Sequence, residues 1–465
     1  MTVQIVYPKL FQAYNHESGV IDLEIIGIAK ALLESYALCD HCLGRQFAML
    51  GHGLTNHERG NAIKLLLIVE GNRLALDGNE LGRRTLELVA VNGISELASK
   101  TLEALGLKFE KRKNPCHICN GAFGLIEELA QGVARKLSEY EYETFLIGIK
   151  IPNEVEERED ELRARFNIRW GESIRNEFSR ETGKKVAEVA GKAVEHKGPD
   201  LIAIVNPFTK QISVEVNPLY IAGRYKKLIR GFPQARWICG KCSGKGCSEC
   251  GWTGKKYSES VEELIAPKIK ERAGGLDAIL HAAGREDIDV RVLGSGRPFV
   301  VEIKEPKVRK IDLRTIQDEI NKEAQEKIEI VGLKFSSKEG VRKLKEEGQA
   351  TKVSRAIVEF ERNVSDEELS QIREGLDNKL IRQLTPSHVM HRRSVRLRKK
   401  YLYGVELKRL KSNLVEMLIR CQGGLYIKEL ISGDDGRTTP SVAEIVNAQA
   451  KCIELDVMDV CVEVD

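Results

Sequence analysis

The chain has 465 residues, enough for roughly two to four domains with cores of their own. Hydrophobic residues make up 42% of it and charged residues 31%, an ordinary composition for a water-soluble protein, and no run of about 18 apolar residues could form a membrane span. The N-terminal sequence MTVQIVYPKL lacks the basic segment and apolar core of a signal peptide. We therefore expect a cytoplasmic protein without a membrane partner.

The net charge of +4 is small, but the charge is unevenly distributed. Residues 391–400, HRRSVRLRKK, contain six lysines or arginines and no acid, whereas the last eleven residues are acid-rich. A local basic cluster on a nearly neutral chain indicates a nucleic-acid surface, although it could also be a plain solvated face. In this run we expect four arginines to contact RNA phosphates: Arg392, Arg393, Arg396 and Arg398.

Eight of the eleven cysteines form Cys-x-x-Cys pairs. Cytosolic thiols stay reduced, so these pairs predict structural zinc rather than disulfides. Two pairs supply the four thiolates of a tetrahedral site, and His41 and His117, which lie inside pairs, are expected not to be ligands. The pair Cys116 and Cys119 is the candidate partner of Cys39 and Cys42, and the last two pairs, only four residues apart, suit one compact zinc loop, although the pairs could also exchange partners. The candidate ligands are Cys39, Cys42, Cys116, Cys119, Cys239, Cys242, Cys247 and Cys250.

In the N-terminal half, helical periodicity alternates with short runs of β-branched residues. The strand–helix–helix–strand–strand order after residue 140 is typical of an α+β domain. We predict helices over 22–38, 56–75, 78–91, 95–106, 124–140, 154–168 and 171–194, and strands over 144–152, 199–206 and 211–217.

Residues 218–237, PLYIAGRYKKLIRGFPQARW, combine five cations and four aromatic residues with no acid. Cations bind phosphates and aromatic rings stack on unpaired bases, so the segment predicts RNA contact. The alternative is a solvated basic loop whose aromatic residues belong to the core. The residues expected to bind RNA are Arg224, Lys226, Lys227 and Arg230.

The C-terminal half is rich in strands and contains one loop, residues 284–289, in which opposite charges are concentrated. A turn at 294–298 would join strands at 290–292 and 299–303 into a hairpin after this loop. Such loops beside rigid strands often carry catalytic residues, although an isolated Asp287 is more often a cap or an ion-pair residue. For Asp289 we expect an ion pair. We also predict helices over 260–271, 275–283 and 366–379, and strands over 351–363, from near Val395, and over 452–464.

The sequence PLYIAGRYKKL-RGFPQ-RW resembles the end of a THUMP domain, which would extend over roughly 60–235. THUMP domains occur in tRNA thiolases, methyltransferases and pseudouridine synthases. The chain has no G-x-G-x-x-G, no SGG-x-DS and no G-x-x-x-x-G-K-[ST] motif, so we expect no nucleotide or S-adenosylmethionine cofactor.

Three further motifs resemble those of pseudouridine synthases. GRED-x-DV is similar to their G-R-x-D catalytic loop, RKKYLYGVEL to the basic–Tyr–x–Tyr strand of the TruA type, and GGLYIKELISGDDGR to the G-T-Y-I-R strand of the TruB type. The chain departs from these types at Asp289 (glycine in TruA), Leu425 (threonine in TruB) and Lys428 (arginine in TruB). With the cysteine pairs and the THUMP-like segment, the chain is identified as a member of the Pus-ten family of tRNA pseudouridine synthases.

The resemblance implies a role for each site residue. Asp287 would be the catalytic residue, as a nucleophile or as the acceptor of a ribose proton. Arg285 and Lys428 would keep its carboxylate ionised. Tyr401 would stack on the flipped base, and Ile427 would contact the base as part of an apolar wall.

The resemblance also implies the overall organisation. The fold would be α+β, with a zinc-knuckle and THUMP domain over 1–235, a second zinc loop with four cysteines over 236–257, and over 258–465 a pseudouridine synthase domain with a mixed, mainly antiparallel sheet flanked by helices. The enzyme would act as a monomer on the T-arm of tRNA, at uridine-55 and also at uridine-54, with zinc as a structural ion and no cofactor in catalysis. The alternative is a zinc-stapled tRNA-binding protein without activity.

Overall fold

A computed structural model describes residues 24–111, 114–346, 350–390 and 394–461. The chain divides into two compact units. The first comprises the chain up to Leu137 together with Phe145–Glu195 and Ala203–Val214, and the second comprises Ser138–Thr144, His196–Ile202 and the chain from Glu215 onward.

From Glu24 to Val216 the chain forms a helical part followed by a sheet in the order β2-β1-β3-β4. The predicted helices and strands are present, and the two central strands, Thr144–Ile149 and Leu201–Asn206, alternate buried with half-buried residues as expected for a sheet covered on one face. The elements are α1 (Glu24–Ser35), α2 (Asp40–Gly44), α3 (Asn56–Leu76), α4 (Glu80–Val91), α5 (Glu96–Ala104), α6 (Ile126–Leu137), β1 (Thr144–Ile149), α7 (Asn153–Phe166), α8 (Ile174–Ala190), β2 (Ala193–Val194), β3 (Leu201–Asn206) and β4 (Gln211–Val216).

Two local signals explain how α3 starts and packs. Thr55 and Glu58 form a capping box, in which each side chain accepts a hydrogen bond from the other residue's backbone N–H. Gly44 in α2 and Gly60 in α3 allow the two helices to touch, because a Cβ at either glycine would collide with the backbone of the opposite helix.

From Leu219 to Cys461 the described chain forms one large sheet in the order β13-β10-β11-β12-β9-β14-β7-β5-β8, with β6 paired to β7. The pair β14–β7 is parallel, whereas the neighbouring pairs such as β9–β12 and β5–β7 are antiparallel. The elements are β5 (Leu219–Lys227), α9 (Val261–Ala273), β6 (Asp277–Ala282), β7 (Arg291–Lys304), α10 (Leu313–Glu323), β8 (Ile328–Ser336), α11 (Lys338–Lys345), β9 (Thr351–Phe360), α12 (Asp366–Leu376), β10 (Lys379–Gln383), β11 (Arg398–Lys411), β12 (Leu414–Gln422), α13 (Ile427–Ser432), β13 (Thr438–Thr439), α14 (Val442–Ile445) and β14 (Ala450–Cys461).

A continuous apolar core lies between this sheet and its helices. Val300 and Val301 of β7, Ala356 of β9 and Ile269 of α9 are fully buried members of it. The predicted α+β fold, with a mixed and mainly antiparallel sheet flanked by helices, is confirmed.

Several local predictions in the second unit are wrong. Residues 275–283 contain edge strand β6 rather than a helix, because its short apolar run pairs with β7 along its whole length. The predicted hairpin turn at 294–298 is absent, since β7 continues through it and pairs with β5 on both sides of an irregularity. Gly294 and Gly296 take positive φ there, and a Cβ at Gly296 would lie 2.8 Å from a β5 carbonyl.

The segment after residue 218 belongs to the second unit by packing. Strand β5 lies between β7 and β8, so residues 219–235 are part of the large sheet and its edge rather than of the N-terminal unit. The physical reason is the alternation of buried residues along β5, which completes the core on this side. As functional domains, the boundaries 1–235, 236–257 and 258–465 stay a prediction.

Candidate active site

Residues 283–290 form the loop that joins β6 to β7. The loop borders a cavity of about 900 Å³ whose opposite wall is the segment from Gly424 to Glu429. The structure therefore brings together two stretches that are more than a hundred residues apart in the sequence. Asp287, Arg285, Ile427 and Lys428, four of the predicted site residues, line this cavity.

Lys428 faces two carboxylates of the loop. Its Nζ lies 2.9 Å from both carboxylate oxygens of Asp289 and 3.3 Å from Oδ2 of Asp287. Burial alone would lower the pKa of Lys428, but the hydrogen bond to Asp289 and the charges of both aspartates raise it. Burial opposes ionisation of Asp289 as well, and the hydrogen bond from Lys428 nevertheless lowers the pKa of this carboxyl. The expected ion pair of Asp289 is present, and the Asp287 side chain is 61% exposed.

The position of Lys428 depends on the turn that precedes it. Gly424 has φ of 84°, a conformation that favours glycine, and α13 then begins at Ile427. The buried Gln383 fixes the backbone between them: its amide oxygen accepts from Tyr426 N–H at 3.0 Å, and its amide nitrogen donates to Tyr426 O at 2.9 Å. Lys428 thus lies in the first turn of a helix and not on the predicted strand.

The cavity has an apolar side and an aromatic face. Leu425 and Ile427 line the cavity and are 4% and 3% exposed. Tyr426 also lines the cavity, with the guanidinium of Arg398 5.7 Å from its ring centroid.

Tyr401, the tyrosine that the resemblance placed in the site, does not line this cavity. It lies on β11, is 38% exposed and packs its ring 5.4 Å from that of Tyr403. The predicted role of Tyr401 stays a prediction. The tyrosine that lines the cavity is Tyr426, one residue before Ile427.

Arg285 lies on the rim of the cavity and stacks on Trp237. Its guanidinium carbon is 5.3 Å from the indole centroid, and Lys256 Nζ lies at the same distance from that ring. Trp237 and Lys256 flank the second cysteine cluster in the sequence. The sequence did not predict the contact of Arg285 with Trp237, a residue next to the second cysteine cluster.

Buried polar groups lie beneath the loop. The Tyr225 hydroxyl lies 3.0 Å from both carboxylate oxygens of Glu286 and donates its single proton to this carboxylate, which also lies 3.0 Å from Arg297 Nε. Gln234 donates to Tyr225 OH at 2.7 Å and to the Gly284 carbonyl at 2.9 Å. Burial raises the pKa of Tyr225 well above its ordinary value, which keeps its hydroxyl a donor. Glu286 is thus a structural residue between two exposed neighbours.

The basic residues of the 218–237 segment have partners within the second unit. Arg224 donates to the carbonyls of Ser295 and Val460 at 2.8 Å each, and Lys226 pairs with Glu329 at 3.1 Å. Their predicted RNA contacts stay untested.

Lys227 and Arg230 lie closer to the loop of residues 283–290. Lys227 is fully buried, so no phosphate can reach its ammonium and the predicted RNA contact is wrong for this residue. Arg230 donates to the Asp289 carbonyl and to Asp456 at 2.7 Å each. Charged groups that enter a core keep a polar partner there, and the sequence pattern could not show which cations would do so.

The basic run after residue 388 is partly described. Arg392 and Arg393 lie outside the described residues. Arg396 is exposed, and Arg398 is half-buried, lines the cavity and donates to Thr385 Oγ1 at 3.1 Å. Arg398 is therefore placed to act at the cavity itself.

Two groups of four cysteines could each hold a metal ion. In each group the sulfurs lie within 4.8 Å of one another. A tetrahedral zinc with Zn–S bonds of about 2.3 Å separates its sulfurs by about 3.8 Å, and the observed Sγ–Sγ distances include 3.6 Å for Cys39–Cys119 and 3.9 Å for both Cys239–Cys247 and Cys242–Cys250. The residues therefore fit zinc.

The structure also settles which pairs combine: Cys39 and Cys42 join Cys116 and Cys119, and the last four cysteines of the pairs form the second group. His41 and His117 contribute to neither group, as predicted. His41 Nδ1 instead lies 2.8 Å from Glu177.

Two family models match the chain: one described as Pus10, C-terminal, over residues 220–461, and one described as Pus10 THUMP domain, archaeal, over residues 129–206. The tRNA pseudouridine synthase Pus10 of Methanocaldococcus jannaschii is 45% identical over 450 residues, covering 94% of this chain and 95% of the relative. That of Methanopyrus kandleri is 41% identical over 436 residues, covering 92% of this chain and 97% of the relative. This chain belongs to the Pus10 family.

Membership of the Pus10 family confirms the predicted enzyme class, a tRNA pseudouridine synthase. The Pus10 THUMP match is shorter than the expected range of 60–235. Among solved structures, a Cbf5–Nop10–Gar1 complex is similar to this chain with a TM-score of 0.29 and 15% sequence identity. The similarity covers 51% of this chain and 48% of the solved chain. Within the described part of this Pus10 chain, no helix combines the length and apolar character needed to cross a membrane.

Proposed function

We propose that this chain converts uridine to pseudouridine in the T-arm of tRNA, at uridine-55 and also at uridine-54, with Asp287 as the reacting carboxylate. The observation that carries the proposal is the exposed Asp287 carboxylate in the cavity, 3.3 Å from the ammonium of Lys428. The Pus10 relatives support the substrate class by their names. The T-arm positions come from the motif resemblance.

The reaction breaks the bond between N1 of the base and C1′ of the ribose, turns the base and joins C5 to C1′. The C5 proton leaves and N1 gains a proton, so the product is an isomer of the substrate and no electrons are gained or lost. A nucleotide must first leave its base stack to reach a side chain. The cavity beside Asp287 has room for the flipped nucleotide, with a volume of about 900 Å³.

Asp287 can act in two ways. As a nucleophile it attacks C1′ and forms an ester, from which the rotated base displaces it. As a base it takes the C2′ proton, the C1′–N1 bond breaks to leave a glycal, and the proton returns to C2′ when C5 adds to C1′. Both routes use the carboxylate form, and the ammonium of Lys428 lies 3.3 Å from it as a counter-charge.

The remaining cavity residues would bind the flipped nucleotide. Leu425 and Ile427 would exclude water on the apolar side. The geometry favours Tyr426 as the ring that stacks on the base, whereas the motif resemblance favours Tyr401. Arg398 and other cations on the cavity wall would pair with the phosphates on either side of the flipped nucleotide.

The rest of the chain would serve binding and structure. Residues 129–206, which match the THUMP model, would bind tRNA near its acceptor end. The two cysteine groups would each hold a zinc ion, which supplies a tetrahedral cross-link within each group of thiolates.

The test measures release of tritium from C5-labelled uridine in a tRNA transcript, with the modified position mapped by chemical probing. We expect Asp287→Asn to lower the rate about 10³-fold or more, and Asp277→Asn, an exposed aspartate at the start of β6, to keep it. Wild-type release by Asp287→Asn would refute the role of Asp287. Unchanged release from a transcript with cytidine at positions 54 and 55 would refute the T-arm assignment.

A further inference from the structure

Lys227 ends strand β5 and is 0% exposed. It lies between two strands, paired with Val292 of β7 and with Ile328 of β8. A buried ammonium is costly unless its protons are satisfied, and burial lowers the pKa of Lys227 to about 8 although Glu286 and Asp289 act in the opposite direction. Such a residue requires a structural or functional reason.

The partners of this ammonium are backbone carbonyls. Lys227 Nζ donates to Phe232 O at 2.6 Å, to Ile288 O at 3.0 Å and to Asp287 O at 3.3 Å. An ammonium has three N–H groups, so these contacts use its full capacity. Two of the three carbonyls are consecutive, and one belongs to Asp287 itself.

The neighbouring carbonyl is held in the same way. Arg230 donates to Asp289 O at 2.7 Å and is itself anchored on the buried Asp456. Cations of the β5 segment therefore hold the carbonyls of residues 287, 288 and 289. With its backbone fixed, the exposed Asp287 side chain has only its own rotamers to choose from.

We propose that Lys227 is a positioning residue for the isomerisation: it fixes the backbone of the Asp287 loop, so that the carboxylate meets the ribose of the flipped nucleotide in one orientation. The inference rests on the proposed role of Asp287. Lys227 would then act on the chemical step and not on RNA binding. A displacement of about 1 Å at a reacting group lowers a rate about 100-fold.

The test compares Lys227→Met with Lys64→Met. Lys64 is a matched control because it is 2% exposed and also donates to backbone carbonyls, at Leu38 and Gly93, but in the first unit. We expect Lys227→Met to lower kcat about 100-fold with KM and tRNA affinity unchanged at low and high salt. Lys64→Met should keep kcat, and Lys227→Arg should recover part of it because it retains the charge and donors.

The outcomes separate the two proposals. Loss of activity in Asp287→Asn with normal kcat in folded Lys227→Met would overturn the positioning role alone, whereas normal kcat in Asp287→Asn would overturn the proposed function. A raised KM with a weaker salt dependence of binding would make Lys227 an RNA contact and overturn the positioning role. If Lys227→Met does not fold, Lys227→Gln replaces it, and kcat should again fall, by a smaller factor. Unfolding of both variants would show that Lys227 serves only the core and would overturn the proposal.

Discussion

The ammonium of Lys428 lies at 2.9 Å from both carboxylate oxygens of Asp289. The nearer oxygen of Asp287 is 3.3 Å from the same ammonium, so Lys428 contacts both carboxylates and lies closer to that of Asp289. Asp289 takes the symmetrical contact, and Asp287 keeps a carboxylate exposed to the cavity. The pair Lys428–Asp289 therefore sets the position of a charge beside the residue proposed to react.

This arrangement predicts different effects for the two aspartates. Asp289→Asn removes the competing partner of Lys428 but leaves the Asp287 carboxylate, so we expect kcat to fall about tenfold or less. The loss should be far smaller than the roughly 10³-fold loss in Asp287→Asn. Tritium release measured side by side checks this, and equal losses in both variants would contradict it.

Lys428→Met should lower kcat about 100-fold, and Lys428→Arg should restore part of the activity because the charge returns in a different geometry. The substitution should also alter stability in a pH-dependent way. In the wild type the pKa of Asp289 is lowered in the folded state, so its contribution to stability is present above the ordinary value of 3.8 and is lost as the pH falls below it. The Tm of Lys428→Met should therefore be below wild type at pH 7, and the difference should shrink toward pH 3.

A further prediction concerns the two tyrosines. Tyr426→Leu removes the ring on the cavity wall, and loss of stacking worth about 1–3 kcal/mol should weaken substrate binding roughly 5- to 150-fold. Tyr401→Leu should change the same constant by less than about threefold, since Tyr401 packs on Tyr403 outside the cavity. Steady-state KM and single-turnover rates distinguish them. The opposite ranking would restore Tyr401 as the stacking residue.

The basic run should act through charge. Arg396 is exposed beside the cavity-lining Arg398, so Arg396→Ala should weaken tRNA binding and reduce the slope of log affinity against log salt by about one. The control is Arg362→Ala, because Arg362 already pairs with Glu368 at 2.6 Å. Binding titrations at several salt concentrations give both slopes. An unchanged slope in Arg396→Ala would remove this residue from the RNA surface.

The cysteine groups predict two equivalents of zinc per chain, measurable by elemental analysis. Cys119→Ser should lose one equivalent and Cys250→Ser the other, because each group supplies four thiolates of its own. Both variants should show a lower Tm, since metal binding at a structural site contributes to folding. Loss of both equivalents in either single variant would show that the groups do not bind independently.

Local spacing determined a large part of this protein. The four Cys-x-x-Cys pairs identified the metal-binding thiolates although the pairing was open, because each metal knuckle consists of a few neighbouring residues. The Thr55–Glu58 capping box, which the structure shows at the start of α3, is likewise a feature of a few neighbouring residues. Asp287 could be proposed as the reacting residue because its charged loop and its motif are both local features of the sequence.

The tertiary structure decided which side chains meet and which are buried. Lys226 and Lys227 are adjacent in a basic segment, yet Lys226 pairs at the surface and Lys227 lies in the core, because alternate residues of a strand face opposite sides. The contact of Lys428 with Asp289 joins a helix and a loop that are 139 residues apart in the sequence, and Tyr401 lies on β11, outside the cavity lining. Burial and long-range pairing depend on the whole fold, so no window of sequence encodes them.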